Sequence, residues 1–418
     1  GDLDPLHSHM YEISRIVGSV FQNPRTQFYT VNSSSEIAFG CENMGMDPDE
    51  IAHRVQITAR ELSIKQLLNR NIFSLSGGEK QKIAFASVYA MEPQVYVLDE
   101  PSANLDGESI AEICRILKLL KQQGKTVIIA EHRIYYLKGI VDRAVYLKNG
   151  KIEREYSMEQ LESLSPEEHM ETGIRAVNLF ALRPETGSNI PNADMELQMK
   201  NILFSFGKKS VLHISDFQSK AGRVTAIIGK NGAGKSTFAS CLCGIIKKCK
   251  GIYSIDNKPL KKKDRISLSY IVMQEVNHQL FAESVREEIT LGIKDIEEKL
   301  LQDTVEKLDL DLVLERHPMT LSGGQKQRVI IASAIFSNKR ILVFDEPTSG
   351  LDYYHMFQTA ELLKNLRYEK TFIFVITHDF EFITMACNDV IHIENGKIKD
   401  YYLLDMAGYH KLKEFFEH

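Results

Sequence analysis

The chain has 418 residues, 43% of them apolar and 26% charged, the balance of a soluble globular protein. That length predicts two domains of roughly 200 residues, each able to bury a core without disulfides or structural metal. Fifty-one Lys and Arg face 56 Asp and Glu, and the net charge of −5 argues against nucleic-acid binding through bulk positive charge.

No apolar run approaches the ~20 residues of a membrane-spanning helix, and the acidic start Gly1-Asp2-Leu3-Asp4-Pro5 does not read as a signal peptide. The six cysteines, Cys41, Cys114, Cys241, Cys243, Cys249 and Cys387, contain no C-x-x-C pair. They read as reduced thiols, with Cys241, Cys243 and Cys249 as small apolar residues on or after a packed helix rather than a metal site.

In chain order, Val17–Phe28 runs from an apolar start into Gln22-Asn23-Pro24. Leu75-Ser76-Gly77-Gly78-Glu79 then opens a helix with Ser76 as its N-cap. Two glycines at a helix start let the phosphate of another molecule approach the backbone. The apolar strand Tyr96–Leu98 ends in Asp99-Glu100, and Val127–Ala130 leads into Glu131-His132.

These features return. Ser76 recurs as Ser322 in Leu321-Ser322-Gly323-Gly324-Gln325, Asp99-Glu100 as Asp345-Glu346, and His132 as His378, each 246 residues on. Gln22 recurs as Gln274 after 252 residues. One offset held by three motifs is a duplication. Between the copies, residues 156–195 carry several Glu and Pro and a short helix opened by Ser157-Met158-Glu159-Gln160, a capping-box pattern, and read as a connector. The expected layout is therefore a first domain at 1–155, a linker at 156–195 and a second domain at 196–418. Continuous apolar strands alternating with longer helical patterns predict an α/β fold with a sheet buried on both faces.

The second copy holds the chemistry. Gly229-Lys230-Asn231-Gly232-Ala233-Gly234-Lys235-Ser236, followed by Thr237, fits G-x-x-x-x-G-K-[ST] between a strand (Val224–Ile228) and a helical stretch (Thr237–Ile246). The glycines let backbone N–H groups wrap phosphate, the helix N-terminus adds positive potential, Lys235 supplies a full charge, and the Ser236 hydroxyl suits Mg²⁺. Two adjacent acids at the end of an apolar strand need a cation or hydrogen-bond donors. Asp345 is the natural outer ligand of Mg²⁺ and Glu346 the base that orients a water. His378, beyond a second apolar strand, could hydrogen-bond the γ-phosphate as a neutral imidazole.

Together the phosphate loop, the L-S-G-G-[EQ] signature, the D-E-P-[ST] strand end and the following histidine resemble the ATP-binding-cassette superfamily over nearly the whole chain. The resemblance implies a P-loop NTPase fold with two tandem cassettes that pair head to tail, ATP and Mg²⁺ lying between one cassette's phosphate loop (Walker A) and the other's signature. It implies one full site from Gly229–Thr237, Gln274, Asp345, Glu346 and His378, with Ser236, Gln274 and Asp345 on Mg²⁺. Ser76, Gly77, Gly78 and Glu79 would face it, with Asn104-Leu105-Asp106 alongside. Phe206 is similar in place to the family's adenine-stacking aromatic. Gln22, Glu100 and His132 would be the first-cassette equivalents of Gln274, Glu346 and His378, and Ser322, Gly323, Gly324 and Gln325 the second signature.

Val17–Phe28 and Glu36–Asn43 are similar to the glutamine loop of energy-coupling-factor ATPases, although Arg25 stands where an acid is common. That subfamily implies uptake of vitamins or of cobalt and nickel, an integral-membrane scaffold and a substrate-binding membrane subunit as partners, and a peripheral location at the cytoplasmic face of the membrane. The competing expectations are a soluble tandem cassette acting on ribosomes or DNA, and a sugar-importer ATPase. Against the former stand the acidic connector and the interval of only 87 residues from Lys235 to Ser322, without heptads. Projected back by 252, Lys235 falls before residue 1, so the first copy shows no phosphate loop in this chain. The sequence reads as a fragment or as a product that lacks that half-site. The terminal segment Met406–His418 carries an apolar stripe of Tyr409, Leu412, Phe415 and Phe416 and is expected to pack as a core helix.

Overall fold

In the computed structural model, residues 4, 7–103, 105–184, 194–207, 209–366 and 370–417 are described. Strands and helices alternate along them and gather into two units, Gly1–Ser163 and Leu164–His418. Asn104, expected beside the first signature, Pro191 of the connector and His418 lie outside the described residues.

In the first unit, β1 (Val17–Val20), β2 (Val95–Asp99) and β3 (Thr126–Ala130) form a parallel three-stranded sheet in that order. The antiparallel pair β4 (Ala144–Lys148) and β5 (Lys151–Tyr156) forms a sheet of its own. The core lies between the sheet and helices Ser33–Asn43, Gly77–Tyr89 and Gly107–Gln122, with Ile37, Ile83, Leu98 and Leu120 fully buried.

The second unit builds an antiparallel sheet from β6 (Glu196–Phe206), β7 (Lys209–Lys220), β9 (Lys250–Ile255) and the short β10 (Lys258–Pro259). Its larger sheet contains β8 (Arg223–Ile228), β11 (Ser269–Val272), β12 (Ile341–Asp345), β13 (Phe372–Ile376), β14 (Asp389–Glu394) and β15 (Lys397–Leu403), in the order β11-β12-β13-β8-β14-β15. All neighbours are parallel except β14 and β15. β12 and β13 are buried along their whole length, as their unbroken Ile/Val/Phe content predicts. The carboxyl ends of β8, β12 and β13 lie side by side, Phe344 opposite Val375 and Ile376 opposite Ile227. In open α/β sheets this is where ligands bind.

Several boundaries differ from the sequence reading. The helix after the glycine-rich loop spans Lys235–Leu242 and does not reach Ile246, because Gly244 turns left-handed (φ 77°) and the β-branched pair Ile245-Ile246 follows. The chain expected as connector is not free. The helix Met158–Glu162, capped by Ser157 and Gln160 as its pattern predicts, closes the first unit, while residues 164–183 belong to the second. The terminal helix, Met406–Glu417, buries Tyr409 and Leu412 and sets Phe416 edge-on to Phe380, 5.4 Å between ring centroids. No helix among the described residues is long and apolar enough to cross a membrane.

Candidate nucleotide site

The loop after β8 is shaped by glycines that no other residue replaces without strain. Gly229 (φ 151°), Gly232 (φ 79°) and Gly234 (φ 108°) occupy conformations that L side chains rarely adopt, and a Cβ on Gly234 would lie 3.2 Å from the Val211 carbonyl. Lys230 and Asn231 are exposed at the turn, Ala233 is buried, and Lys235-Ser236-Thr237 form the first turn of the helix. The loop thus leads straight into the first turn of a helix, whose N–H groups face its N-terminus, a ready site for an anion.

Five predicted side chains converge beside it. Lys235 is buried, and its Nζ donates to the carbonyls of Gly229 (2.7 Å) and Lys230 (3.1 Å) and lies 3.0 Å from His378 Nε2. Ser236 Oγ donates to Asp345 Oδ2 at 2.8 Å. Burial pushes the Asp345 carboxyl up from its ordinary value, against the Ser236 hydrogen bond and the Lys235 charge. A hydroxyl and a buried carboxylate at this spacing fit a hard divalent cation, which prefers oxygen ligands and keeps water. Glu346 turns left-handed (φ 53°), its N–H donating to the Ile376 carbonyl at 2.8 Å. One Glu346 carboxylate oxygen accepts from Thr377 Oγ1 (3.2 Å) and the other is 3.9 Å from His378 Nε2. Gln274 is exposed past the end of β11 and hydrogen-bonds none of these groups. Phe206 ends β6, is 65% exposed and sits edge-on to Phe204 at 4.7 Å between ring centroids. An exposed aromatic at a strand end is available for stacking.

The described residues of the first unit assemble the matching trio. Gln22 Nε2 donates to Glu100 Oε2 at 2.7 Å, and His132 Nε2 is 3.7 Å from Glu100 Oε1. Burial, then the neighbouring Glu131 and Asp99, push the Glu100 carboxyl up to about 7. Glu131 occupies the position of Thr377, and sequence reasoning overlooked it, although the 246-residue offset sets the two side by side. It accepts from the backbone N–H groups of Ser102, His132 and Arg133 and from the Tyr136 hydroxyl (2.8 Å).

Each signature opens a helix, Gly77–Tyr89 and Gly323–Phe336, through a closed capping box. Glu79 accepts from the Ser76 N–H (2.8 Å), which holds its carboxyl below the usual range, and Gln325 accepts from the Ser322 N–H (3.0 Å). A Cβ on Gly77 or Gly323 would meet nothing within 4 Å. On Gly78 it would lie 3.0 Å from Ser109 Oγ, and on Gly324 3.2 Å from the Gly350 carbonyl. Nothing within either unit therefore requires glycine at 77 or 323.

Comparison with known proteins agrees with this geometry. The family described as ABC transporter matches residues 3–103 and 212–349. A protein of Treponema denticola named as an ABC transporter ATP-binding protein is 45% identical over 93% of this chain and 80% of its own length. The chain belongs to the ABC transporter family and has its α/β P-loop NTPase fold in a two-cassette arrangement. Members of this family bind and hydrolyse ATP with Mg²⁺. A Bacillus subtilis relative named as an HMP/thiamine import ATP-binding protein is 28% identical over 91% of this chain and 74% of its own. The archaeal ribosome recycling factor, crystallised with a ribosomal stalk protein, superposes with a TM-score of 0.66 at 19% identity, over 96% of this chain and 76% of that one. At that identity the likeness is one of fold.

Proposed function

We propose that the chain is the ATP-hydrolysing subunit of an energy-coupling-factor importer for a vitamin or for cobalt or nickel, peripheral at the cytoplasmic face and driving an integral-membrane scaffold with its substrate-binding subunit. The observation that carries the enzymatic part is the convergence of Lys235, Ser236, Asp345, Glu346 and His378 at the ends of β8, β12 and β13. In this reading Lys235 and the loop N–H groups would hold the β- and γ-phosphates, Ser236 and Asp345 would hold Mg²⁺, joined by Gln274, and Glu346 would orient the attacking water with His378. The Ser76–Glu79 signature closes over the same ATP, and its turnover moves the cassettes between two states that the membrane partner feels. The importer subtype is supported by the Gln22-Asn23-Pro24 loop and by the relative named for HMP/thiamine import.

Two measurements test it. Glu346→Gln should bind Mg·ATP like the parent and turn it over at least ~100-fold more slowly, the usual loss on removing a general base. Full turnover would refute the role. Affinity purification from the source cells should recover integral-membrane proteins; recovery of ribosomes or DNA instead would move the chain to the soluble class.

A further inference from the structure

The residues that follow the first unit in the chain are fastened to the loop that carries His378. Ser165 caps the helix Pro166–Thr172, which ends on left-handed Gly173 (φ 71°). The Gly173 carbonyl accepts from the Tyr353 N–H at 2.8 Å, and a Cβ there would press on Asp352 at 3.1–3.2 Å. Two residues on, Arg175 is 2% exposed. Its Nη2 donates to Asp379 Oδ1 at 2.6 Å and its Nε to Glu381 Oε2 at 2.9 Å. The Ala176 N–H donates to the other Glu381 oxygen at 3.2 Å. Phe180 then meets Phe380 edge-on, 5.2 Å between centroids.

Asp379 is the hub of these contacts. It follows His378 directly. Its Oδ1 also caps the helix Phe380–Ala386 through the Phe382 N–H, and its Oδ2 accepts from Thr348 Oγ1 at 2.7 Å. Thr348 lies two residues past Glu346, and the Asp379 N–H donates to Thr377 Oγ1, which in turn donates to Glu346. A guanidinium with two carboxylates is expensive to bury, and breaking it leaves an uncompensated charge. A planar fork shared between two acids also fixes their separation and orientation in a way a point charge does not.

We propose that Arg175 is a positioning residue for ATP hydrolysis: by clamping Asp379 it sets the His378 loop against Thr348 and Glu346. The stretch between the two cassettes thereby becomes part of the second cassette's hydrolytic machinery. Arg175 touches neither phosphate nor Mg²⁺ in this role. A loop displaced by ~1 Å at a reacting centre lowers turnover by up to ~100-fold, whereas the glycine loop keeps the backbone set by Gly229, Gly232 and Gly234 and meets the His378 loop at the Lys235 side chain.

The inference rests on the ATPase reading of the site. The test uses the full chain in four forms: parent, Arg175→Lys, Arg175→Met and Thr348→Val. Thr348→Val removes the threonine's bond to Asp379 without leaving a buried charge unpaired. Steady-state kcat and KM, the dissociation constant of a fluorescent ATP analogue, and the melting temperature are measured for each. The expected result is a fall in kcat of ~10-fold or more for Arg175→Met and Thr348→Val, analogue affinity within ~2-fold of the parent, and partial recovery of kcat in Arg175→Lys. If Arg175→Met does not fold, the other two variants decide. Folded Arg175→Lys and Thr348→Val proteins that both keep the parent's kcat overturn the proposal, as does a loss of analogue affinity equal to the loss of kcat. A parent that neither binds nor hydrolyses ATP refutes the underlying ATPase reading instead, and with it this role.

Discussion

Three motifs shared by the two units keep one spacing and the glutamine loop keeps another, yet the same strand has opposite surroundings in each. In the second unit β13 lies between β12 and β8, and all five of its residues are buried. In the first unit β3 is the edge of its sheet, and none of its five residues is fully buried. The hairpin that would continue the sheet, β4 with β5, stands apart and exposes Leu147 and Ile152. Among the described residues of the first unit β3 pairs with β2 alone, whereas the other edge of β13 is paired with β8. That strand joins β13 to β14, shields both, and delivers the glycine loop and Lys235. Fold and chemistry therefore depend on the same strand.

The sharpest way to break the comparison is catalytic. Glu346 and Glu100 have the same backbone turn and an equivalent histidine nearby, and among the described residues a glycine loop stands beside Glu346 alone. Glu346→Gln should lower ATP turnover by ~100-fold or more. Glu100→Gln should lower it far less. Comparable losses would mean that the first unit contributes a hydrolytic site of its own. Steady-state phosphate release measures both.

A packing pair comes next. Ile128 of β3 and Phe374 of β13 are equivalent across the 246-residue offset, but Ile128 is 56% exposed and Phe374 fully buried among Phe217 and Phe238. Phe374→Ala should cost about 3–5 kcal/mol. Ile128→Ala should stay within ~0.5 kcal/mol, as an exposed site does. Denaturant midpoints of the two variants check this. A large loss at Ile128 would show that something covers the β3 edge.

These pairs also show how far the sequence could be read. Residues whose chemistry is tied to a local pattern were legible: the loop Gly229–Ser236, the strand ends at Asp345 and Asp99, the signature N-cap Ser76 and the capping box at Ser157–Gln160 follow from glycine freedom, strand burial and N-cap chemistry within a few positions. Arg175, Thr348 and Asp379 were not, because their roles arise from contacts more than 200 residues apart in the case of Arg175. No spacing rule brings a connector arginine onto a histidine loop. Glu131 was within reach, as a charged residue standing where the other copy has threonine.

The signatures give the third pair. A Cβ on Gly77 or Gly323 meets nothing in its own unit, so alanine at either site should leave the melting temperature unchanged or slightly raised. If the Ser76–Glu79 signature closes over the ATP held by Lys235, Gly77→Ala should reduce turnover ~10-fold through crowding at the phosphate, and Gly323→Ala should not. The reverse outcome would overturn the head-to-tail assignment of the two signatures.

The smallest effect separates the units by pH. The Glu100 carboxyl titrates at about 7 in the fold against 4.5 ordinarily, because it is buried beside Glu131 and Asp99, while Glu346 has the neutral Thr377 in the place of Glu131. A carboxyl with a raised value binds its proton more tightly folded than unfolded, so folding takes up a proton between pH 4.5 and 7. Its stabilising contribution is full below about 4.5 and is lost as pH rises through 7. Glu131→Gln removes one of the two like charges and should reduce that loss by on the order of 1 kcal/mol. The substitution also disturbs the hydrogen bonds Glu131 accepts from Ser102, His132, Arg133 and Tyr136, which lowers stability at every pH. The slope of the melting temperature between pH 5 and 8, rather than its level, is therefore the readout, and it should be shallower in Glu131→Gln than in the parent. Parallel slopes would show that Glu131 does not act on Glu100 through its charge.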